Sequence, residues 1–120
     1  MTAIPSNATP LLDIDALNDL KDMLAEALTE IADTFLDGLD AEVEAVGAGI
    51  RASGPAARAA AHSLKGSAGN LGGRALAMQA SAIEKAAVEG DLATCEALYP
   101  ALQTLAGQTR EALKAYLAQP

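Results

Sequence analysis

The sequence predicts an all-α fold, an antiparallel (up-down) four-helix bundle with a short extra N-terminal helix. From Asp13 onward, apolar residues recur at steps of three or four, which is the spacing of one face of an α-helix. Residues that favour strands are too sparse to supply one convincing strand. The hydrophobic share of 51% comes largely from Ala and Leu, with no Trp and one Phe, and such small side chains suit closely spaced helices.

The chain of 120 residues is predicted to form one domain behind a short lead. Residues 1–12 hold Pro5 and Pro10 with small polar residues between them, which is typical of a mobile tail. Residues 13–118 are predicted to form the helical bundle domain. The lead has no cationic start followed by an apolar run, so we expect no signal peptide, no membrane span and a cytoplasmic location.

The first two helices follow from capping residues and apolar spacing. Asp13 and Asp15 offer caps for a short first helix, with Leu17, Leu20 and Leu24 on its inner side. A long amphipathic second helix follows and is expected to end near residues 53–55. Its inward stripe, at steps of three or four, is Leu24, Leu28, Ile31, Phe35, Leu39, Val43, Val46 and Ile50.

The third and last helices have clear N-terminal signals. Ser53, or the glycine after it, is predicted to cap the third helix, with Pro55 in the first turn. Gly90 closes the helix before the last one, Asp91 caps the last, and Pro100 marks a kink or a restart. The last stripe is Leu92, Cys95, Leu98, Leu102, Leu105, Thr109, Leu113 and Tyr116.

Two adjacent glycines separate the third helix from the fourth. Inward-facing residues are three or four positions apart until Leu71, but the next one, Leu76, follows after five. Gly72 and Gly73 lie at this irregular step. Each glycine costs about 1 kcal/mol inside a helix. We therefore expect a break there and a separate fourth helix over about residues 74–89.

The charge pattern excludes two classes of partner and marks one region. A formal charge of -8 and a pI near 4.4 argue against nucleic acid and anionic membranes, because both reward positive charge. Residues 45–83 contain no Asp or Glu, although residues 1–50 hold eleven carboxylates. This positive island is either a face turned to an acidic helix or a site for an anion or an acidic partner. Its charged residues and histidine are Arg51, Arg58, His62, Lys65 and Arg74.

The only histidine lies in this island on one helical face with Arg58, Lys65, Gly66 and Gly69. His62 follows an inward alanine, so we expect it at the edge of the buried face and partly exposed. A structural histidine is one interpretation. The two glycines carry a helix-propensity penalty, which either close helix packing or the approach of a partner's backbone would explain.

Three other kinds of chemistry are poorly supported around His62. A metal site lacks a second His, a nearby Cys and a carboxylate on the same helix face. A nucleophilic pair with Cys95 is disfavoured because this single cysteine lies on an inward stripe, where it is expected to be a buried small hydrophobe. Gly66 and Gly69 lie inside a helix and follow no strand, unlike a nucleotide-binding loop. Phosphoryl chemistry on the imidazole remains, since a neutral ring nitrogen is a nucleophile and the neighbouring cations stabilise a phosphoryl group.

The run at residues 62–72, HSLKGSAGNLG, resembles the signature of histidine-containing phosphotransfer (HPt) domains. That pattern is His, any residue, Leu, Lys, Gly, then two small residues, with a Leu-Gly pair following. Every one of these elements is present, and the resemblance covers roughly residues 13–117. Gly73 departs from the pattern, where Ala or Leu is commoner. Supporting context elsewhere is Phe35-Leu36, Ile83-Glu84 and Gly90-Asp91.

The resemblance implies a role for each residue of the motif. It implies that His62 is phosphorylated on a ring nitrogen, that Lys65 steadies the phosphoryl group and that Gly66 leaves room for a partner. Small residues such as Ser67 and Ala68 would keep the neighbourhood open. Helical geometry adds two residues to this candidate site, Arg58 and Gly69.

The resemblance also implies the partners. The phosphoryl group would pass between aspartates of receiver domains, from a histidine kinase of the hybrid kind to a response regulator. It implies a monomer without a cofactor or metal of its own, the Mg²⁺ being held by the receiver. Because the partner's metal and carboxylates then supply most of the rate enhancement, we expect a phosphoryl carrier rather than an autonomous enzyme.

Two other functions stay open at this point. A helical docking module that binds receivers without transferring phosphate would tolerate the substitution His62→Gln. An enzyme of another kind, such as a phosphatase, would need turnover by this domain alone and lacks a second acid or base on the His62 face. A free-standing protein and a domain of a longer kinase both fit the sequence. The phosphorylated nitrogen is expected to be the outer one.

Overall fold

The structure is a computed structural model that describes residues 9–119, and the prediction of an all-α bundle is confirmed. The described residues form five helices and no strand. Around the bundle, α2 packs on α3, α3 on α4, α4 on α5 and α5 on α2. None of these helices is both long and apolar enough to cross a membrane. The helices are α1 (Ile14–Leu24), α2 (Ala27–Ala52), α3 (Gly54–Asn70), α4 (Arg74–Val88) and α5 (Leu92–Leu117).

The predicted helix ends are confirmed. Side-chain oxygens of Asp13, Ser53 and Asp91 each accept the backbone N–H three residues on, at 3.0, 3.2 and 3.1 Å. Gly72 and Gly90 follow α3 and α4 with φ of +71° and +74°, a conformation that glycine adopts without steric cost. Pro100 lies inside α5, which continues through it.

Two details of the long second helix differ from prediction. A turn at Ala25, with φ of 49°, separates α1 from α2, so Leu24 belongs to the first helix only, and the stripe of the second helix starts at Leu28 rather than at Leu24. Ile31 was predicted to face inward but is 44% exposed, whereas Ala32 is fully buried. The buried face of α2 continues from Leu28 to Ala32. The prediction that the larger, neighbouring Ile31 faces inward is therefore wrong. Side-chain size does not identify the inward residue where an alanine fits a close helix contact.

The core lies between the four long helices and is built from leucines and alanines. On α3, the alanines that face inward allow its neighbours to approach closely. Cys95 is buried as predicted, and burial raises the pKa of its thiol. The largest fully buried side chains are Leu17, Leu39, Leu64, Leu76, Ile83, Leu102, Leu105, Leu113, Val46, Thr109 and Cys95.

Residues 9–12, which were assigned to the mobile tail, pack against the start of α4. Thr9 is 7% exposed, and its hydroxyl lies 3.6 Å from the sulfur of Met78. Leu11 and Leu12 pack on the core, and the N–H of Asp13 donates to the carbonyl of Gly72 at 2.8 Å. The packed part of the chain therefore begins before the predicted boundary at residue 13. The rest of the predicted tail, residues 1–8, lies outside the described residues.

We expect Gly49→Ala to destabilise the domain, because a Cβ there would lie 2.7 Å from the carbonyl oxygen of Ala56. The clash is with backbone of α3, so the helices must separate, which costs about 1–3 kcal/mol. Urea unfolding followed by circular dichroism measures the change.

The matched control is Gly38→Ala in the same helix, where a Cβ meets nothing within 4 Å. This substitution should raise the free energy of unfolding by up to about 1 kcal/mol, because alanine has the higher helix propensity. Unchanged stability in Gly49→Ala would contradict the close packing of α2 on α3. A loss of stability in Gly38→Ala would contradict the open space around Gly38.

Candidate functional site

His62 lies on the exposed side of α3, at the edge of the buried face as predicted. Its side chain is 61% exposed, and the neighbouring Ala61 and Leu64 are fully buried. Lys65, one turn further along, is 37% exposed. The imidazole is therefore anchored beside the core and remains accessible from solvent.

A carboxylate from α4 completes the site. One oxygen of Glu84 lies 2.8 Å from Nδ1 of His62, and the other lies 2.8 Å from Nζ of Lys65. Glu84 itself is only 16% exposed. Its contact with the histidine was not predicted from the sequence, where Glu84 stood only as context for the family resemblance. A signal was present, because Glu84 follows the inward Ile83 as His62 follows the inward Ala61, which places both at the edge of packed helix faces.

The hydrogen bond that Glu84 accepts assigns the tautomer of the imidazole. A carboxylate only accepts hydrogen bonds, so Nδ1 of His62 carries the proton and donates it. In the neutral ring, Nε2 then holds the free lone pair. The arrangement presents a nucleophilic nitrogen on the side of the ring away from Glu84.

The charges around Glu84 favour its ionised form. The hydrogen bond from Lys65 is the largest cause that lowers the pKa of Glu84 below its ordinary value, with contributions from His62, while burial opposes the shift. Glu84 therefore remains negative near neutral pH and holds both the imidazole and the ammonium. In three dimensions Glu84 thus lies within the positive island predicted from the sequence, between His62 and Lys65.

Space around the two glycines of α3 supports one of the two explanations that the sequence left open. A Cβ on Gly66 would meet nothing within 4 Å, and a Cβ on Gly69 would come no closer than 4.0 Å to Ala77. Neither glycine is needed for close helix packing within the described residues. Their absent side chains leave an open surface around His62 that a partner's backbone can approach.

The other predicted site residues fall into two groups. Ser67 faces α2, where its hydroxyl lies 3.1 Å from a carboxylate oxygen of Glu42 and 3.1 Å from the carbonyl of Ser63. Its assignment to the surroundings of the imidazole is corrected, because a residue five positions after His62 points about 140° away. Arg58 lies one turn before His62 on the exposed side, with no ion pair among residues 9–119.

Cys95 and His62 do not meet. The thiol is fully buried on α5 and lies 3.5 Å from the carbonyl of Ile83, whereas the imidazole faces solvent from α3. Residues 9–119 contain no group of three or more His, Cys, Asp and Glu side chains that could hold a metal ion. The expectation that the domain has no cofactor of its own stays a prediction.

We expect Glu84→Gln to lower the thermal stability at neutral pH, by less than about 1 kcal/mol for a pair at the surface. A carboxyl whose pKa is lowered in the folded state contributes stability above its ordinary pKa of 4.5 and loses it as the pH falls below that value. The difference in melting temperature between wild type and variant should therefore shrink on acidification below pH 4.5.

Lys65→Met is the companion variant, because Lys65 makes the largest contribution to the lowered pKa of Glu84. It should reduce the same pH dependence, and the double variant should lose little more than either single one. A difference in melting temperature that stays constant with pH would contradict an ionised, paired Glu84.

Comparison with known proteins places these features in a family. The model of the Hpt domain family matches residues 15–112. The crystal structure of histidine-containing phosphotransfer protein B (HptB) from Pseudomonas aeruginosa PAO1 superimposes with a TM-score of 0.84 and 27% sequence identity, covering 89% of this chain and 94% of that one. No curated protein matches the chain in sequence.

The family match spans most of the chain and includes His62, Lys65 and Glu84, the three residues joined at the α3–α4 seam. The superposition extends over nearly all of HptB, so the likeness concerns the whole bundle rather than one helix pair. Proteins of this family are phosphotransfer carriers of two-component signalling. The chain belongs to the Hpt domain family, the histidine phosphotransfer domains of two-component systems.

Proposed function

We propose that this domain carries a phosphoryl group on His62 between the aspartates of two receiver domains, one of a hybrid histidine kinase and one of a response regulator. The single observation that supports this most directly is the exposed imidazole whose Nδ1 is bound by Glu84. That bond leaves the Nε2 lone pair free on the solvent side. Membership of the Hpt family supplies the chemistry for which such a nitrogen is suited.

In the forward step, Nε2 of His62 attacks the phosphorus of an aspartyl phosphate. The Nε2–P bond forms as the P–O bond to the aspartate breaks, and the bonding electron pair leaves on the aspartate oxygen. Nδ1 keeps its proton, so the phosphorylated ring carries a positive charge that the Glu84 carboxylate stabilises at 2.8 Å. The second step reverses this one, with an aspartate of the next receiver as the nucleophile.

Lys65 has two successive roles in this proposal. In the unphosphorylated protein its ammonium is paired with Glu84 at 2.8 Å. Because it lies one turn from His62 on the same exposed side, a modest change of rotamer brings it to an oxygen of the new phosphoryl group. The Mg²⁺ that neutralises the transferring phosphoryl group is held by the receiver. This chain contributes position and charge.

We expect His62→Gln to abolish labelling of the domain. The test charges receiver domains of the source organism with acetyl phosphate and Mg²⁺, adds the full chain, and follows acid-labile, alkali-stable label. Wild type should become labelled, with the phosphoryl group on Nε2 as identified by nitrogen-15 NMR of the ring. The amide of the variant keeps a similar volume, so binding to the receiver provides the control.

Two outcomes would contradict this function. If neither protein takes label from any receiver while both bind one, the domain is a docking module that does not transfer phosphate. Label on both proteins would place the phosphoryl group on another residue. Label on Nδ1 would overturn the role of Glu84 and leave the carrier function standing.

We expect Gly66→Leu to slow transfer at least about tenfold while the domain stays folded, because a side chain there projects into the space that the receiver needs. Gly107→Leu is the matched control, since that glycine is also exposed within a helix and a Cβ there meets nothing within 4 Å. Both variants should unfold at or above the wild-type temperature. Equal transfer rates in the two variants would show that Gly66 has no role in receiver access.

A further inference from the structure

A groove lies beside His62 where α3 begins and α4 ends. It has a volume of about 460 Å³. The two helices approach closely here, because a Cβ on Gly54 would lie 3.2 Å from the carbonyl oxygen of Ala87. Small residues therefore make up much of the lining, and two larger side chains stand among them. The lining residues are Gly54, Pro55, Arg58, Ala87, Val88 and Gly90.

The fold makes little use of the two larger side chains. Val88 is 65% exposed, more than any other large apolar residue on α3 or α4. Arg58 forms no ion pair within residues 9–119, in contrast to Lys65, which is bound to Glu84. An apolar surface and an unpaired cation are thus left side by side, next to the reactive histidine.

The groove is close enough to His62 to be covered by any partner that reaches this histidine. A standard protein–protein interface buries about 800 Å² on each protein, which corresponds to a disc of about 16 Å radius. Along α3, Arg58 is about 6 Å from His62 and Gly54 about 12 Å. Along α4, Val88 is about 6 Å from Glu84. A receiver centred on His62 therefore covers the groove.

Charge identifies the kind of surface that the groove suits. The chain carries a net charge of -8, which opposes the approach of the carboxylates around a receiver's phosphorylated aspartate. On the His62 face, Glu84 offsets the charge of Lys65, and Arg58 remains unpaired. Arg58 is thus placed to pair with a carboxylate at the rim of the receiver, and Val88 to contact an apolar side chain beside it.

We propose, resting on the function proposed above, that the Arg58–Val88 groove is the part of the docking surface that selects the receiver. Neither residue bonds to His62 or Glu84, whereas Lys65 does. Changes in the groove therefore alter how tightly a receiver docks and leave the reacting groups in place. Their effect falls on the receiver concentration at half-maximal transfer rather than on the maximal rate.

The experiment measures phosphotransfer from the receiver that labels wild type fastest, over a range of its concentrations. Arg58→Glu should raise the half-saturating concentration at least about fivefold, and the effect should weaken as salt rises above about 0.15 M. Val88→Ser should raise it about threefold with little dependence on salt. The organism's receivers can also be ranked by their rate of transfer to the domain. This ranking should differ between wild type and Arg58→Glu.

Arg51→Glu is the control for charge, because it makes the same change on the opposite, α2–α5 side of the bundle, and Met23→Ser is the control for an exposed apolar residue on α1. The selective groove is refuted if Arg51→Glu raises the half-saturating concentration as much as Arg58→Glu does, or Met23→Ser as much as Val88→Ser. It is also refuted if both groove variants have the half-saturating concentration of wild type. Those results leave His62-dependent labelling intact. Absence of that labelling in wild type would instead refute the carrier function.

Discussion

The close packing of α3 on α4 places a carboxylate of one helix between an imidazole and an ammonium of the other. Glu84 contacts both His62 and Lys65 at 2.8 Å, and it can do so because small side chains let the two helix backbones approach. The same bond selects the ring nitrogen that keeps its proton. The orientation of the imidazole is thus a consequence of helix packing, and a change in the α3–α4 spacing would alter the contacts of Glu84 with both His62 and Lys65.

Glycine is used in this chain for two opposite purposes. At Gly49 the backbones of α2 and α3 are so close that a methyl group would collide with Ala56, so the glycine serves packing. At Gly66 the surroundings are open. The glycine costs about 1 kcal/mol in helix propensity there, and no packing contact among the described residues requires it. The missing side chain leaves room for a partner's backbone at this surface. The bundle accepts this cost because most of its stability comes from buried leucines and alanines.

The electrostatics of the site differ from those of the sequence around it. Residues 45–83 contain no carboxylate, yet the folded site holds Glu84, which is the next residue along. Its charge offsets Lys65, whereas Arg58, one turn from the histidine, has no ion pair within residues 9–119. A charge window counted along the chain therefore overestimates the positive potential at His62. The cations that remain favour the approach of a surface rich in carboxylates.

The sequence by itself determined the helix plan and singled out His62 as the candidate site residue. Caps at Asp13, Ser53 and Asp91, and the break at Gly72, depend on local backbone chemistry, which is written in neighbouring residues. Tertiary structure alone decided which residues face the site. Ile31 turned outward and Glu84 reached His62 from another helix, because these positions depend on the spacing and rotation of packed helices rather than on the periodicity of any one of them.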